Sequence, residues 1–236
     1  MFEAVLFDAD ETIFNNEGIH MLVTSEILQS LKMSLSLTNE IHDKWDMYYF
    51  QEQKRLVEEV GYCIDRENAA RSLVLALKDH GKEITIEEAD EFYNYMIEKY
   101  TAISKPYPDV LKLINLLKEK EIKMAIVSNG NYEIIMSRLQ KANIENLFEF
   151  VIAPCSDYPL TKPDIKIFQT TLAKIKTPAK KAMFIGDNPY ADIEGANKAG
   201  LYTVLIDRRA IFNGLKGFQI PNKKISSFEE IISLFS

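Results

Sequence analysis

Two carboxylates stand one residue apart near the beginning of the chain, directly after an apolar segment. Residues 4–7 read Ala-Val-Leu-Phe, and Asp8 and Asp10 follow them. Because side chains alternate along a strand, both acids face one side if the strand continues. Carboxylates this close repel each other, and a cation or a shared proton offsets the repulsion. Mg²⁺ takes such oxygen ligands together with water and substrate phosphate. An acidic turn without chemistry is the alternative interpretation.

Polar groups also follow two later apolar segments of strand type. Ser128 and Asn129 come after the apolar residues 124–127, and Asp187 comes after residues 182–185. A hydroxyl and free backbone N–H groups at the end of a strand suit a phosphate oxygen. Ser and Asn are also ordinary turn residues. Ligands of open α/β sheets bind at the carboxyl ends of the strands, so these positions are candidates for one site.

Two charged residues stand at the starts of predicted helices. Lys162 precedes Pro163, where the helix dipole disfavours a cation, so a neighbouring anion is expected to hold it; a solvated surface lysine is the alternative. Asp192 follows Asp187 by five residues and lies in the first turn of the next helix. A carboxylate is favourable there even without any chemistry.

The order of predicted elements gives an α/β fold with two domains. From residue 109 onwards helices and strands alternate, which predicts a Rossmann-like parallel sheet with helices on both faces. The strand at residues 4–7 lacks a nearby partner, so we assign it to this sheet. Four amphipathic helices without a strand between them fill residues 16–103. We therefore predict an α/β core of residues 1–15 and 104–236 with an inserted all-helical domain of residues 16–103. The predicted core strands are 4–7, 123–127, 148–153, 182–185 and 202–206, and its helices are 110–120, 132–142, 163–175, 191–199 and 228–235.

Four segments together resemble, in order, the motifs of the haloacid dehalogenase-like superfamily. They are Asp8-Ala-Asp-Glu-Thr12, Ser128-Asn129, Lys162-Pro163 and Gly186-Asp187 with Asp192. The resemblance covers the whole chain and implies that the helical domain is a cap inserted after the first motif. The Asp-Ala-Asp-Glu-Thr variant is similar to bacterial members of the pyrimidine 5′-nucleotidase branch. Glu11 replaces the usual Gly, the residue that would most easily adopt a tight turn.

The resemblance implies a mechanism for the first acids. Asp8 would be the nucleophile that forms an aspartyl-phosphate, and Asp10 would be the general acid and base. The implied cofactor is Mg²⁺, held by Asp8, Asp187 and the backbone carbonyl of Asp10.

The resemblance also implies roles for five further residues. Thr12 would steady the loop around the second acid. Ser128, with Asn129 beside it, would bind the phosphoryl group, and Lys162 would balance its charge as a catalytic residue. Asp192 would orient the metal's waters or Lys162 from outside the first coordination shell.

The implied enzyme is a phosphoric monoester hydrolase acting on a small phosphorylated metabolite, with a nucleoside 5′-monophosphate as the best single hypothesis. Aromatic residues of the second helix, Trp45, Tyr48, Tyr49 and Phe50, would stack on a base or else pack inside the helical domain. A sugar-phosphate or acylated amino-sugar phosphatase and a phosphoglucomutase-type phosphotransferase keep the same motifs. Asp10 argues against a metal-free haloacid dehalogenase, and the full set of acids argues against a non-catalytic binding protein.

Composition limits the partners. The net charge is −7 and the pI about 5.2, which argue against nucleic-acid binding. No apolar run reaches transmembrane length and no secretory leader is recognised, so we expect no membrane association and a cytoplasmic location. Cys63 and Cys155 have no metal-type spacing and are expected to be buried thiols, with a structural disulfide as the alternative. Both a monomer and a homodimer fit the sequence.

Overall fold

The protein divides into two compact units. The computed structural model describes residues 2–16, 18–60, 65–154 and 160–235. One unit comprises Met1–Asn15 with Lys105–Ser236, and the other comprises Asn16–Ser104. Cys63 and Cys155 lie outside the described residues. Among the described residues, no helix has both the length and the apolar character needed to cross a bilayer.

The first unit is built on a parallel sheet, as predicted. Within the described residues the sheet has six strands in the order β5-β4-β1-β6-β7-β8, and every neighbouring pair is parallel. The strands are β1 Ala4–Phe7, β4 Lys123–Val127, β5 Val151–Ile152, β6 Ala182–Gly186, β7 Tyr202–Ile206 and β8 Lys223–Ile225. A separate antiparallel pair, β2 Phe14–Asn15 with β3 Lys105–Pro106, joins the two chain segments where the helical insertion begins and ends.

Helices cover both faces of the sheet because the strands are apolar on both sides. The helices of this unit are α5 Pro108–Glu119, α6 Tyr132–Lys141, α7 Ile165–Ile175 and the short α8 Gly195–Lys198. Val5 and Phe7 belong to the apolar cluster that contains α5 and α6, whereas Ala4 and Leu6 belong to the cluster that contains α7 and α8. Full burial of one large apolar side chain stabilises the fold by about 1.5–3 kcal/mol. The central position of β1 therefore fixes the residues that follow it.

The second unit is helical. Its helices are α1 Ile19–Ser30, α2 Thr38–Val60, α3 Asp65–Lys78 and α4 Ile86–Ile103. Trp45 is buried in its core and donates Nε1–H to the Ala69 carbonyl at 2.9 Å. A capping box begins α4, with reciprocal Thr85 and Glu88 hydrogen bonds. At the start of α1, Gly18 occupies the N-cap position without a side-chain hydrogen bond.

Several predicted elements differ from the observed ones. The predicted helix 191–199 is a π-helix, Pro189–Glu194, followed by α8. The predicted final helix is a 3₁₀-helix, Phe228–Leu234, and the strand predicted at 148–153 covers only Val151–Ile152. The edge strand β8 was not predicted, since its Lys-Lys-Ile sequence carries no apolar run.

Candidate active site

Three adjacent parallel strands deliver polar residues to one edge of the sheet. Asp8 follows β1, Ser128 follows β4 and Asp187 follows β6. Residues of β1 pair in register with both neighbours, and the Asp8 amide continues the ladder by donating to the Ile185 carbonyl at 2.9 Å. Parallel neighbours end at the same edge, so the order of the strands brings together residues that are far apart in sequence.

Asp8, Lys162 and Asp192 form a buried chain of charges. The Lys162 Nζ donates to Asp8 Oδ1 at 2.5 Å and to Asp192 Oδ1 at 2.6 Å. All three side chains are nearly inaccessible, with Lys162 only 2% exposed. Burial alone would lower the pKa of Lys162, but the two carboxylates outweigh it and hold the pKa above its ordinary value. Lys162 therefore stays cationic and does not lie on the surface.

Asn129 holds the backbone of Lys162. Its Oδ1 accepts from the Lys162 amide at 2.8 Å, and its Nδ2 donates to the Lys162 carbonyl at 3.0 Å. Both ends of the side-chain amide are thus bonded to the same residue. The structure gives Asn129 a positioning contact on the lysine loop, whereas the sequence suggested a place beside the phosphoryl group.

Asp187 completes a group of three carboxylates. Oxygen atoms of Asp8, Asp187 and Asp192 all lie within 4.8 Å of one another. Burial, followed by the charges of Asp192 and Asp10, raises the pKa of Asp8 to about 7 despite the opposing effect of Lys162. Burial and then the Asp8 charge raise the pKa of Asp187 well above its ordinary value. When all three carboxylates are ionised, the group carries more negative charge than Lys162 neutralises, and this repulsion contributes to the raised pKa values.

Asn188 and Gly186 determine the position of the Asp192 carboxylate. The Asn188 amide donates to Asp192 Oδ2 at 2.9 Å, while the Asn188 side chain accepts from the Tyr190 and Ala191 amides at the start of the π-helix. Gly186 leaves room for the carboxylate, since a Cβ atom there would lie 2.3 Å from Asp192 Oδ2. These contacts fix Asp192 against Lys162.

Asp10 is held by an arginine that the sequence analysis did not identify. The Arg138 guanidinium donates to Asp10 Oδ1 at 2.7 Å and lies over the Phe14 ring, 4.6 Å from its centroid. The Arg138 side chain is 3% exposed, whereas that of Asp10 is 42% exposed. Ile135, Arg138 and Leu139 are the buried residues of α6. The sequence signal that could have identified Arg138 is a cation among the apolar residues of one helix face, because a buried cation requires an anionic partner.

Ser128 and Gly130 lie next to Asp10. A Cβ atom on Gly130 would be 3.3 Å from Asp10 Oδ2 and 3.4 Å from Ser128 Oγ. The buried Ser128 hydroxyl accepts from the Gly130 amide at 3.1 Å, which leaves its own proton available for a further acceptor. Thr12 is fully buried, and its Oγ1 has no hydrogen-bond partner among the described residues.

Glu11 adopts the conformation that the usual glycine would favour. Its φ angle is +55°, in the left-handed region. For a residue with a Cβ this costs about 1–2 kcal/mol. The turn is closed by the Glu11 amide, which donates to the Phe14 carbonyl at 2.9 Å, and Tyr107 donates its hydroxyl to Glu11 Oε2 at 2.9 Å. The substitution of Glu for Gly therefore preserves the turn between Asp8 and β2.

The donor set fits a hard divalent cation. Three carboxylates with two raised pKa values meet at one place, and a cation bound by their oxygens would offset the repulsion. Asp8, Asp187 and Asp192 bring their carboxylates to this place. The Asp10 carboxylate instead faces Arg138, so its expected contribution to a metal would come from the backbone carbonyl.

The sequence and the fold are similar to those of known hydrolases. The profile of haloacid dehalogenase-like hydrolases matches residues 2–200. A glyceraldehyde 3-phosphate phosphatase of Methanopyrus kandleri is 27% identical over 88% of this chain and 85% of its own length. A phosphoglycolate phosphatase of Aquifex aeolicus is 26% identical over 98% of this chain and 95% of its own length.

A solved structure shows the same fold. The HAD-hydrolase YfnB of Bacillus subtilis, crystallised with magnesium, superposes with a TM-score of 0.82 at 23% identity, covering 99% of this chain and 98% of that one. The profile match covers most of the chain and includes all four segments that form the site. The chain therefore belongs to the haloacid dehalogenase-like hydrolase family.

Proposed function

We propose that this protein is a Mg²⁺-dependent phosphatase that hydrolyses a small sugar phosphate or phosphorylated hydroxy acid through an aspartyl-phosphate on Asp8. The observation that carries this proposal is the position of the Asp8 carboxylate. It is buried, bound to the Lys162 ammonium and within 4.8 Å of Asp187 and Asp192. A phosphate monoester brings further negative charge. The site therefore needs a metal ion in addition to the Lys162 ammonium to accept it.

The first chemical step transfers the phosphoryl group to Asp8. An oxygen of the carboxylate attacks phosphorus in line, a new O–P bond forms, and the ester P–O bond breaks. Asp10, which is partly exposed beside Ser128, gives a proton to the departing alkoxide. Arg138 holds one oxygen of Asp10 and leaves the other directed towards Gly130.

The second step releases phosphate. Asp10, now ionised, takes a proton from a water molecule that attacks phosphorus, and the bond between Asp8 and phosphorus breaks. The carboxylate of Asp8 and the protonated form of Asp10 are thereby restored. Lys162 and the Ser128 hydroxyl offer their N–H and O–H groups to the phosphoryl oxygens in both steps.

The residues that would hold Mg²⁺ are Asp8 and Asp187, with the Asp10 carbonyl as a third ligand and Asp192 acting next to them through Lys162. When bound, Mg²⁺ offsets the repulsion between a carboxylate nucleophile and a phosphate dianion. Without this compensation the raised pKa of Asp8, about 7, means that a large fraction of the nucleophile is protonated at neutral pH.

The choice of substrate class changes from the hypothesis made on the sequence. A nucleoside 5′-monophosphate was preferred there, but the phosphatase relatives act on glyceraldehyde 3-phosphate and phosphoglycolate and so support the sugar-phosphate alternative. The stacking hypothesis also loses its principal ring, because Trp45 is 2% exposed and packs in the core of the helical unit. We propose that the helical unit serves as the substrate-selecting cap of this enzyme.

The metal-free dehalogenase remains the competing chemistry within this fold. Cleavage of a carbon–halogen bond releases a halide, which needs no proton, so this first step gives no role to a general acid positioned like Asp10. The buried Arg138 that holds Asp10 therefore favours phosphoryl transfer.

The test is a comparison of kcat/KM for glyceraldehyde 3-phosphate, phosphoglycolate, nucleoside 5′-monophosphates and a 2-haloacid. We expect a small sugar or acid phosphate to exceed every nucleotide by at least ~10-fold, equivalent to about 1.4 kcal/mol of transition-state discrimination. EDTA should abolish the activity and Mg²⁺ should restore it, with Asp8→Asn as the inactive control. A preferred nucleotide would overturn the substrate class alone, whereas halide release without metal would overturn the phosphatase.

A further inference from the structure

A second group of metal-binding side chains lies inside the helical unit. His20 on α1 and His42 and Asp46 on α2 each offer a ligand atom, and these atoms all lie within 4.8 Å of one another. The His20 Nδ1 is 3.5 Å from Asp46 Oδ1, and the His42 Nδ1 is 4.0 Å from Asp46 Oδ2. The chain has three histidines in total, so two of them meet at this place.

The neighbouring contacts hold the two rings in position. The His20 and His42 rings meet edge to face with centroids 5.0 Å apart. Trp45 packs against His20 at 4.8 Å, and Tyr100 of α4 lies on the same ring at 6.4 Å. The His20 and His42 side chains are 26% and 12% exposed, and that of Asp46 is 36% exposed. The group is therefore ordered by packing yet accessible to an ion from solvent.

Carboxylates of α2 lie beside both rings. Besides Asp46, the exposed Asp43 has its Oδ1 3.4 Å from the His42 Nδ1. Two imidazoles that converge with a carboxylate offer the nitrogen and oxygen ligands that a transition-metal ion takes.

We propose that His20, His42 and Asp46 form a binding site for a divalent transition-metal ion of the Zn²⁺ type, which joins α1 to α2. Imidazole nitrogen with one carboxylate oxygen suits Zn²⁺, Co²⁺ or Ni²⁺, whereas Mg²⁺ takes oxygen ligands almost alone. The site uses no residue of the Asp8 group. The proposal is therefore independent of the proposed phosphatase activity.

Two of the distances between ligand atoms can be compared with those of a zinc site. Ligand atoms at about 2.0–2.1 Å from a tetrahedral ion lie roughly 3.3–3.4 Å from one another. The separation of 3.5 Å between His20 and Asp46 already meets this requirement. The separation of 4.0 Å between the His42 Nδ1 and Asp46 Oδ2 is longer, and metal binding would require a rotation of the partly exposed carboxylate. Three protein ligands leave the fourth position to water.

The first test is titration of the full-length protein with Zn²⁺ by calorimetry, with Mg²⁺ in excess to occupy the Asp8 group. We expect a Zn²⁺ site whose affinity falls by at least ~100-fold in both His42→Ala and Asp46→Asn, since loss of a direct ligand exceeds the 10–100-fold cost of losing an indirect contact. The matched control is His80→Ala, which removes the third histidine from the same unit and should leave the isotherm unchanged. Repeating the titrations in Asp187→Asn separates this site from the carboxylates beside Asp8.

The second test uses Trp45 as a local probe. It is the single tryptophan of the chain and contacts His20, so paramagnetic Co²⁺ bound at the proposed site should quench its fluorescence. The quenching should disappear in Asp46→Asn, whose isosteric, half-exposed side chain keeps the helical unit folded, as circular dichroism would verify. The proposal would be overturned if both His42→Ala and Asp46→Asn gave the Zn²⁺ isotherm and the Co²⁺ quenching of the wild type. It would also be overturned if the wild type bound no Zn²⁺ beyond the Asp8 group.

Discussion

Replacement of Arg138 by Met is expected to impair catalysis through Asp10 without removing any group that contacts substrate. The guanidinium holds Asp10 Oδ1 at 2.7 Å from a position that is 3% exposed. Methionine fills a similar length but donates no hydrogen bond. The variant loses the hydrogen bond that helps to hold Asp10 in the orientation in which its second oxygen faces Gly130. We therefore predict a lower kcat with little change in KM.

The expected losses of rate and of stability follow from the role of Asp10 and from the burial of the Arg138–Asp10 ion pair. A misplacement of a reacting group by about 1 Å costs about 10²-fold in rate, equivalent to about 2.7 kcal/mol of transition-state stabilisation. Breaking a fully buried ion pair costs about 3–5 kcal/mol of folding free energy. The Asp10 side chain is 42% exposed, so water replaces part of the lost contact, and we expect a stability loss of about 1–2 kcal/mol.

The assay is steady-state kinetics on an aryl phosphate at saturating Mg²⁺, with stability measured by urea denaturation. Arg138→Lys should recover part of kcat, because it restores a charge but not the planar donor pair. Leu139→Ala is the matched control, since it removes another buried side chain of the same helix, at a cost of about 2–5 kcal/mol of folding free energy, and keeps the hydrogen bond from Arg138 to Asp10. A kcat for Arg138→Met within a factor of about two of the wild type, below any effect expected of a positioning group, would refute the reasoning.

Three further predictions concern the buried charges. The pKa of Asp8 rises from 3.8 to about 7 on folding, so the metal-free protein should lose stability as the pH rises across this interval. Mg²⁺ should therefore raise Tm more at about pH 8 than at about pH 5, and equal shifts of Tm in calorimetry would contradict this. Gly186→Ala would place a Cβ 2.3 Å from Asp192 Oδ2 and should cost about 1–3 kcal/mol in urea denaturation, more than Gly130→Ala, whose nearest contact is 3.3 Å. Lys162→Met should abolish phosphatase activity and cost about 3–5 kcal/mol of stability by leaving two buried carboxylates unpaired; retained activity in a kinetic assay would exclude a catalytic lysine.

The sequence predicted the sheet well because its central strands are continuous apolar runs. The strands β1, β4, β6 and β7 lie where the apolar segments stand, and Asp8 and Asp187 follow two of them. The parallel sheet, the hydrolase family and the phosphoric monoester hydrolase class are confirmed. The substrate hypothesis rested on a few residues beside Asp8 and on the aromatic residues of one helix. These residues do not determine which substrate the helical unit selects.

Contacts between distant side chains were beyond the reach of sequence patterns. Arg138 and Asp10 are separated by 128 positions, and no motif spacing links them. His20 and His42 lie on different helices and meet only when α1 packs on α2. The π-helix after β6 begins where Asn188 caps two amides, a local choice that the helical pattern of residues 191–199 does not reveal.

The stereochemical course at phosphorus tests most directly whether Asp8 is the nucleophile. The substrate would be the phosphorothioate analogue of the preferred phosphomonoester, made chiral at phosphorus with two oxygen isotopes and hydrolysed with Mg²⁺ in water of the third isotope, so that the thiophosphate product is chiral. Attack by Asp8 and then by water are two in-line displacements, and each inverts phosphorus, so net retention is predicted. Net inversion would mean that water attacks the substrate directly and would contradict the aspartyl-phosphate on Asp8.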